Sequence, residues 1–116
     1  MKKGPILLVE DDDDVREALD LFLTEENYLI LPYESGKKAI GDIEDGLQYK
    51  IAFVDLNLPW GVGGDAVIEA SKRFNPRVPV YCVSGYNHKP PLADGNISKL
   101  HLGLEVILET INRHLK

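Results

Sequence analysis

Two apolar runs in this 116-residue chain end in acidic residues. Ile6–Val9 leads into Glu10 and Asp11, and Ile51–Val54 leads into Asp55. An apolar run of this length, bounded by polar residues, is too short for a helix and reads as a fully buried strand. In open α/β sheets, ligands bind beyond the carboxyl ends of the strands. The polar residues at those ends are therefore where chemistry is to be sought. Ser84 follows a fourth run, Pro79–Val83, and Lys99 lies near a short fifth strand expected around Asn96–Ser98. If strands one and three are neighbours, Glu10, Asp11 and Asp55 converge in one acidic pocket.

Three carboxylates in one pocket repel. Two unit charges about 4 Å apart cost about 4 kcal/mol at an effective dielectric of about 20. A hard divalent cation offsets that cost, and Mg2+ favours oxygen ligands while retaining several waters. Lys99 offsets part of it as well. Mg2+ held by only some protein oxygens keeps positions for phosphoryl oxygens. A carboxylate beside it can then act as a nucleophile toward a phosphoryl donor and give an acyl phosphate. The Ser84 hydroxyl and the Lys99 ammonium would contact the new phosphoryl oxygens.

The elements that must hold these groups are legible along the chain. The first helix has Asp13 or Asp14 as its N-cap and the stripe Val15, Ala18, Leu19 and Phe22 at spacing i, i+3, i+4, i+7. Asn27 sits where it should stop. Tyr28–Tyr33 reads as a strand, and Pro32 places it at an edge or makes it a strand end. Ser35 caps a second helix with Ala39, Ile40, Ile43 and Leu47 on its buried face. A Gly-rich loop over Pro59–Gly64 precedes a third helix from about Asp65 to Phe74, with Val67, Ala70 and Phe74 inward. Asn75-Pro76 ends it. Residues 86–96 lack helical periodicity and read as loop. A last helix carries Leu104, Ile107, Leu108, Ile111 and Leu115 as one stripe. Alternating buried-type strands and helices call for a parallel sheet covered on both faces.

Composition narrows the function. The length fits one domain spanning 1–116. The formal net charge of −6, from 13 basic and 19 acidic residues, repels nucleic acid phosphates and argues against direct nucleic acid binding. The one cysteine, Cys82, cannot form an internal disulfide, which fits a reducing compartment, the cytoplasm. Met1-Lys2-Lys3 followed by Gly4-Pro5 and only four apolar residues is no secretory signal, and no stretch is long enough to span a membrane. The glycines at 61, 63 and 64 are not followed by Gly-Lys-Ser/Thr, so they form no P-loop. His88, His101 and His114 lack metal-ligand spacing.

Four segments together resemble the receiver domains of two-component response regulators: Ile-Leu-Leu-Val-Glu-Asp-Asp at 6–12, Val-Asp-Leu-Asn-Leu-Pro at 54–59 with Gly63, Val-Ser-Gly at 83–85, and Ala-Asp-Gly-Asn-Ile-Ser-Lys at 93–99. The resemblance covers nearly the whole chain. It implies a flavodoxin-like, doubly wound, five-stranded parallel sheet in the order 2-1-3-4-5. It implies that Glu10 and Asp11 are the acidic pair, with Asp11 the more direct Mg2+ ligand, and that Asp55 is the phosphoacceptor. Asn57 matches the position whose backbone carbonyl ligates the metal, Ser84 the switch hydroxyl, and Lys99 the lysine that pairs with the phosphoryl group. The implied donor is a phosphohistidine on a sensor histidine kinase or phosphotransfer protein, with small acyl phosphates as substitutes. The implied output is a contact with a downstream protein target.

Three departures from the family stand in the sequence. Leu100, not proline, follows the lysine. Asn96 stands where the family usually has an aromatic residue that swings inward as the hydroxyl moves. The segment between Ser84 and Lys99 is shorter than the family norm by roughly two helical turns, so the family's fourth helix is expected to be reduced or lost. Lys89-Pro90 mimics the family's Lys-Pro pair and competes with Lys99, but five residues after Ser84 leave no room for a returning strand.

Two other functions compete with a phosphorylation-controlled signalling module that is not itself a turnover enzyme. One is a receiver-like interaction module independent of phosphate, favoured by Asn96 and the shortened segment. The other is a small phosphohydrolase of the aspartyl-phosphate type. That chemistry often uses a second carboxylic acid two residues after the nucleophile, and Asn57 cannot supply its proton.

Overall fold

The structure is a computed structural model that describes residues 2–58, 62–84, 90–98 and 104–115. Its elements are β1 (Lys3–Val9), α1 (Asp13–Glu25), β2 (Tyr28–Tyr33), α2 (Gly36–Glu44), β3 (Ile51–Asp55), α3 (Gly64–Phe74), β4 (Val80–Ser84), β5 (Gly95–Ser98) and α4 (Leu104–Leu115). The five strands form one parallel sheet in the order β2-β1-β3-β4-β5. This is the flavodoxin-like arrangement that the resemblance implied.

The continuous apolar strands are explained by helices on both faces. Successive strand residues point to opposite faces, so a strand covered twice has no polar side. Ile6, Leu8, Ile51, Phe53, Val83 and Ile97 pack with Leu19 and Leu23 of α1 and Ile107 and Ile111 of α4. The alternate residues Leu7, Val9, Ala52, Val54, Val80 and Cys82 pack with Ala39 and Ile43 of α2 and Val67 and Ile68 of α3. Full burial of one such side chain contributes about 1.5–3 kcal/mol. Pro32 sits on β2, an edge strand, where a missing amide proton is tolerated. Asn27 adopts φ 71° and closes the α1–β2 turn.

Three local expectations are corrected. The α1 N-cap is Asp12, not Asp13 or Asp14: its side chain accepts the amides of Asp14 at 2.9 Å and Val15 at 3.2 Å. Asp13 and Asp14 become first-turn residues, where negative charge suits the helix dipole. Ala18 is exposed, because the α1 stripe rolls toward Leu19 and Leu23. Phe74 is 45% exposed and not inward; it is the last residue of α3.

Between β4 and β5, the described residues 90–94 form a turn and no helix. Pro90 and Ala93 are buried, and the Ala93 amide donates to the Pro90 carbonyl at 3.1 Å. Asp94 fastens this turn. Its amide donates to the Val80 carbonyl at 2.8 Å, and its Oδ2 accepts the Val80 amide at 2.7 Å. Among the described residues, no helix is long and apolar enough to cross a membrane.

Candidate functional site

The site stands at the carboxyl ends of β1 and β3. These strands are neighbours, and Val9 pairs in register with Val54. Glu10 and Asp55 each follow that pair by one residue, so they emerge at the same level. Both are buried, at 2% exposure, whereas Asp11 is exposed. One carboxylate oxygen from each of Glu10, Asp11 and Asp55 lies within 4.8 Å of the other two.

Each acidic group is held by its surroundings. The Glu10 amide donates to the Tyr33 carbonyl at 3.0 Å, and the Glu10 carbonyl accepts Arg16 NH1 at 2.9 Å. Glu10 Oε2 accepts the Asp12 amide at 3.2 Å. The residue that caps α1 therefore also orients the Glu10 carboxylate. Asp55 Oδ1 accepts the amide of Asn57 at 2.9 Å, which fixes the carboxylate plane. Gly64 opens α3 directly behind Asp55: a Cβ there would lie 2.3 Å from the Asp55 carbonyl oxygen. Only glycine lets the helix start this close to the strand end.

The donor set suits a hard cation. Opposite oxygens around octahedral Mg2+ stand about 4.2 Å apart, from ligand distances of about 2.1 Å. Oxygens within 4.8 Å meet this with small side-chain adjustment or one intervening water. Glu10, Asp11 and Asp55 would hold the ion, and the Asn57 carbonyl is the fourth candidate from the sequence.

Ser84, the last residue of β4, is wholly buried. It lies one residue beyond Val83, which pairs with Asp55. Its Oγ donates to Asn96 Oδ1 at 3.1 Å. Lys99 and its competitor Lys89 lie outside the described residues. Two contributors escaped the sequence reading. Arg16 anchors the Glu10 backbone, and the six-residue spacing across a helix start carries no motif. Asn96 meets Ser84 only through the β4–β5 register.

The profile of the response regulator receiver domain matches residues 6–100. The chain belongs to this family. As a receiver domain it is similar in structure to the response regulator TrrA of Thermotoga maritima, solved in complex with Mg2+ and BeF. The TM-score is 0.84, with 26% identity over 99% of this chain and all of that one. A CheY-like receiver domain protein of Methanospirillum hungatei shares the fold at TM-score 0.84 and 23% identity, over 97% of this chain and 93% of that one. In sequence, the receiver domain is 34% identical over 82 residues to a cyclic di-GMP phosphodiesterase of Thermotoga maritima, over 71% of this chain and 21% of that protein. It is 27% identical over 95 residues to the uncharacterized transcriptional regulatory protein YkoG of Bacillus subtilis, over 82% of this chain and 41% of that protein. The chain thus spans less than half the length of each of these two relatives.

Proposed function

We propose that this receiver domain accepts a phosphoryl group on Asp55 in a Mg2+-dependent reaction and signals through protein contacts that the modification changes. The observation that carries the reading is the convergence of Glu10, Asp11 and Asp55 oxygens within 4.8 Å at the carboxyl ends of adjacent strands. A similar protein, TrrA, is known in complex with Mg2+ and BeF, a phosphoryl mimic at the same kind of fold.

In this reading an Asp55 carboxylate oxygen attacks phosphorus, and the bond from phosphorus to the donor atom breaks. A phosphohistidine donor leaves as imidazole and takes up a proton; Asp55 becomes the mixed anhydride. Mg2+ held by Glu10, Asp11 and Asp55 would neutralise the carboxylates and the developing phosphoryl charge. The Asn57 amide orients Asp55 for attack. Ser84 donates a hydrogen bond to a phosphoryl oxygen, and Lys99 pairs with another. The partners are a sensor histidine kinase or phosphotransfer protein upstream and a protein target downstream, with the cytoplasm as the compartment. The module carries a phosphoryl group and does not turn over an external ester, because Asn57 offers no acid. The activity of the phosphodiesterase relative belongs to a protein of which this chain spans 21%.

Titration with Mg2+ and then beryllofluoride tests the proposal, followed by the fluorescence of Trp60, the sole tryptophan. The expected result is a saturable change with each, the second abolished by Asp55→Asn. No change with either, together with no bound fluoride species by fluorine NMR, would leave a phosphate-independent interaction module as the better reading.

A further inference from the structure

Cys82 pairs with Asn96 and Ser84 with Ser98 across β4 and β5, so these side chains share one face of the sheet. Asn96 Oδ1 accepts the Ser84 hydroxyl at 3.1 Å and faces the Cys82 thiol at 3.3 Å. The same thiol lies 3.4 Å from the Gly95 carbonyl oxygen. Ser84 and Cys82 are fully buried, and Asn96 is half-buried.

A hydroxyl has one proton to donate. Given to Asn96, it is not available to a ligand at the strand ends. We propose that Asn96 is a positioning residue for Ser84. Its amide carbonyl holds the hydroxyl proton while the site is empty of phosphoryl groups and releases it when Ser84 turns to a phosphoryl oxygen on Asp55. This rests on the phosphoacceptor reading above. The restraint is a directional hydrogen bond between adjacent strands, one that an aromatic ring at position 96 has no carbonyl to make. The Cys82 thiol lowers the cost of release, because it lies 3.3 Å from the same oxygen and can still donate to Asn96 Oδ1 when Ser84 turns away.

The test is a double-mutant cycle read by beryllofluoride affinity at saturating Mg2+, using the unsubstituted protein, Asn96→Leu, Ser84→Ala and the combination. Asn96→Leu keeps the side-chain size and removes the acceptor. It is expected to tighten beryllofluoride binding about fivefold, the equivalent of one hydrogen bond no longer given up. In the Ser84→Ala background the same change is expected to have no effect. A general packing role would move both backgrounds equally, and that result overturns the proposal, as does unchanged or weaker binding in Asn96→Leu alone. Asn96→Ala replaces Asn96→Leu if the larger substitution impairs folding. Ser84 side-chain couplings by NMR add a readout without ligand: one rotamer in the unsubstituted protein, averaging in Asn96→Leu, with a single unaltered rotamer in both counting against the idea. If the unsubstituted protein binds no beryllofluoride, or Asp55→Asn binds it equally, the phosphoacceptor reading fails and takes this inference with it. Normal, Asp55-dependent binding with an Asn96 effect indifferent to Ser84 removes only this inference.

Discussion

Lys72 Nζ lies 2.7 Å from Asp94 Oδ2, the same oxygen that accepts the Val80 amide at 2.7 Å. One carboxylate thus joins α3, β4 and the turn that precedes β5. Burial works against the charge of Asp94, but the hydrogen bonds from Lys72 and the Val80 amide prevail and hold its carboxyl below the usual range. A depressed carboxyl pKa adds stability above the unfolded value, which is lost as pH falls through the folded value. Asp94→Ala should cost about 1–2 kcal/mol in urea unfolding at neutral pH, mostly from the orphaned Val80 amide. The cost should shrink below about pH 4. Equal cost at neutral and strongly acidic pH would show that the carboxylate charge is immaterial.

Gly64→Ala should damage the fold and the site together. Its Cβ would meet backbone atoms of Asp55 and Leu56, at 2.3 Å and 2.7 Å, and backbone cannot swing aside as a side chain does. Overpacking of this kind costs about 1–3 kcal/mol. The strand end that carries Asp55 has to shift, so Mg2+ affinity should fall as well. Denaturant unfolding and a Mg2+ titration measure the two effects, and stability lost with Mg2+ affinity intact would separate them.

Asp55→Asn should have opposite effects on stability with and without metal. Removing one of three close negative charges relieves repulsion worth about 1–3 kcal/mol when no cation is bound. The amide oxygen of the substituted side chain can still accept the Asn57 amide. In EDTA the variant should therefore resist urea better than the unsubstituted protein. In millimolar Mg2+ the unsubstituted protein should gain stability by ligand linkage and the variant should gain less. A variant less stable in EDTA would mean that the carboxylate cluster is not under electrostatic strain.

Tyr33 offers a test at high pH. Its hydroxyl donates to Asp42 Oδ2 at 2.7 Å, and burial, aided by that bond, pushes its phenol up to about 12. The protonated form is the one favoured by folding. Its contribution is complete below the ordinary phenol value near 10 and is lost as pH rises through about 12. Burial also raises the phenol of Tyr28, so ultraviolet titration should find Tyr33 among more than one late tyrosine, and Tyr33→Phe should remove one late proton. A late titration of unchanged amplitude in Tyr33→Phe would assign it elsewhere.

Much of this was legible in the sequence because the relevant signals are local. Ile6–Val9 and Ile51–Val54 are apolar without alternation, so they had to be covered on both faces, and each delivers its carboxylates to one edge. Ser35 as the α2 cap was equally direct, since its Oγ accepts the Lys38 amide at 3.2 Å, three residues on. The α1 cap was misplaced by one or two residues because Asp11 to Asp14 all qualify by type. What separates them is the direction of the chain as it leaves β1, a tertiary property.

Asn96 marks the other limit. In the sequence it stands out only as a departure from an aromatic position. Its contact with Ser84 depends on β4 and β5 pairing with Cys82 opposite Asn96, and no spacing rule across 12 residues encodes that register. Lys99, the remaining expected site residue, lies outside the described residues.

The turn at 90–94 gives the sheet an uneven margin. β1 and β3 are flanked by strands on both sides and roofed by helices, whereas β5 is an edge strand of four residues whose approach is pinned to β4 and α3 through Asp94. Few buried contacts and a short ladder make for a low opening free energy. Amides of β5 should therefore exchange with solvent well before those of β1 and β3, which would set the partner strand of the Ser84 hydroxyl on a margin of the sheet that opens more readily than the strands carrying the carboxylates.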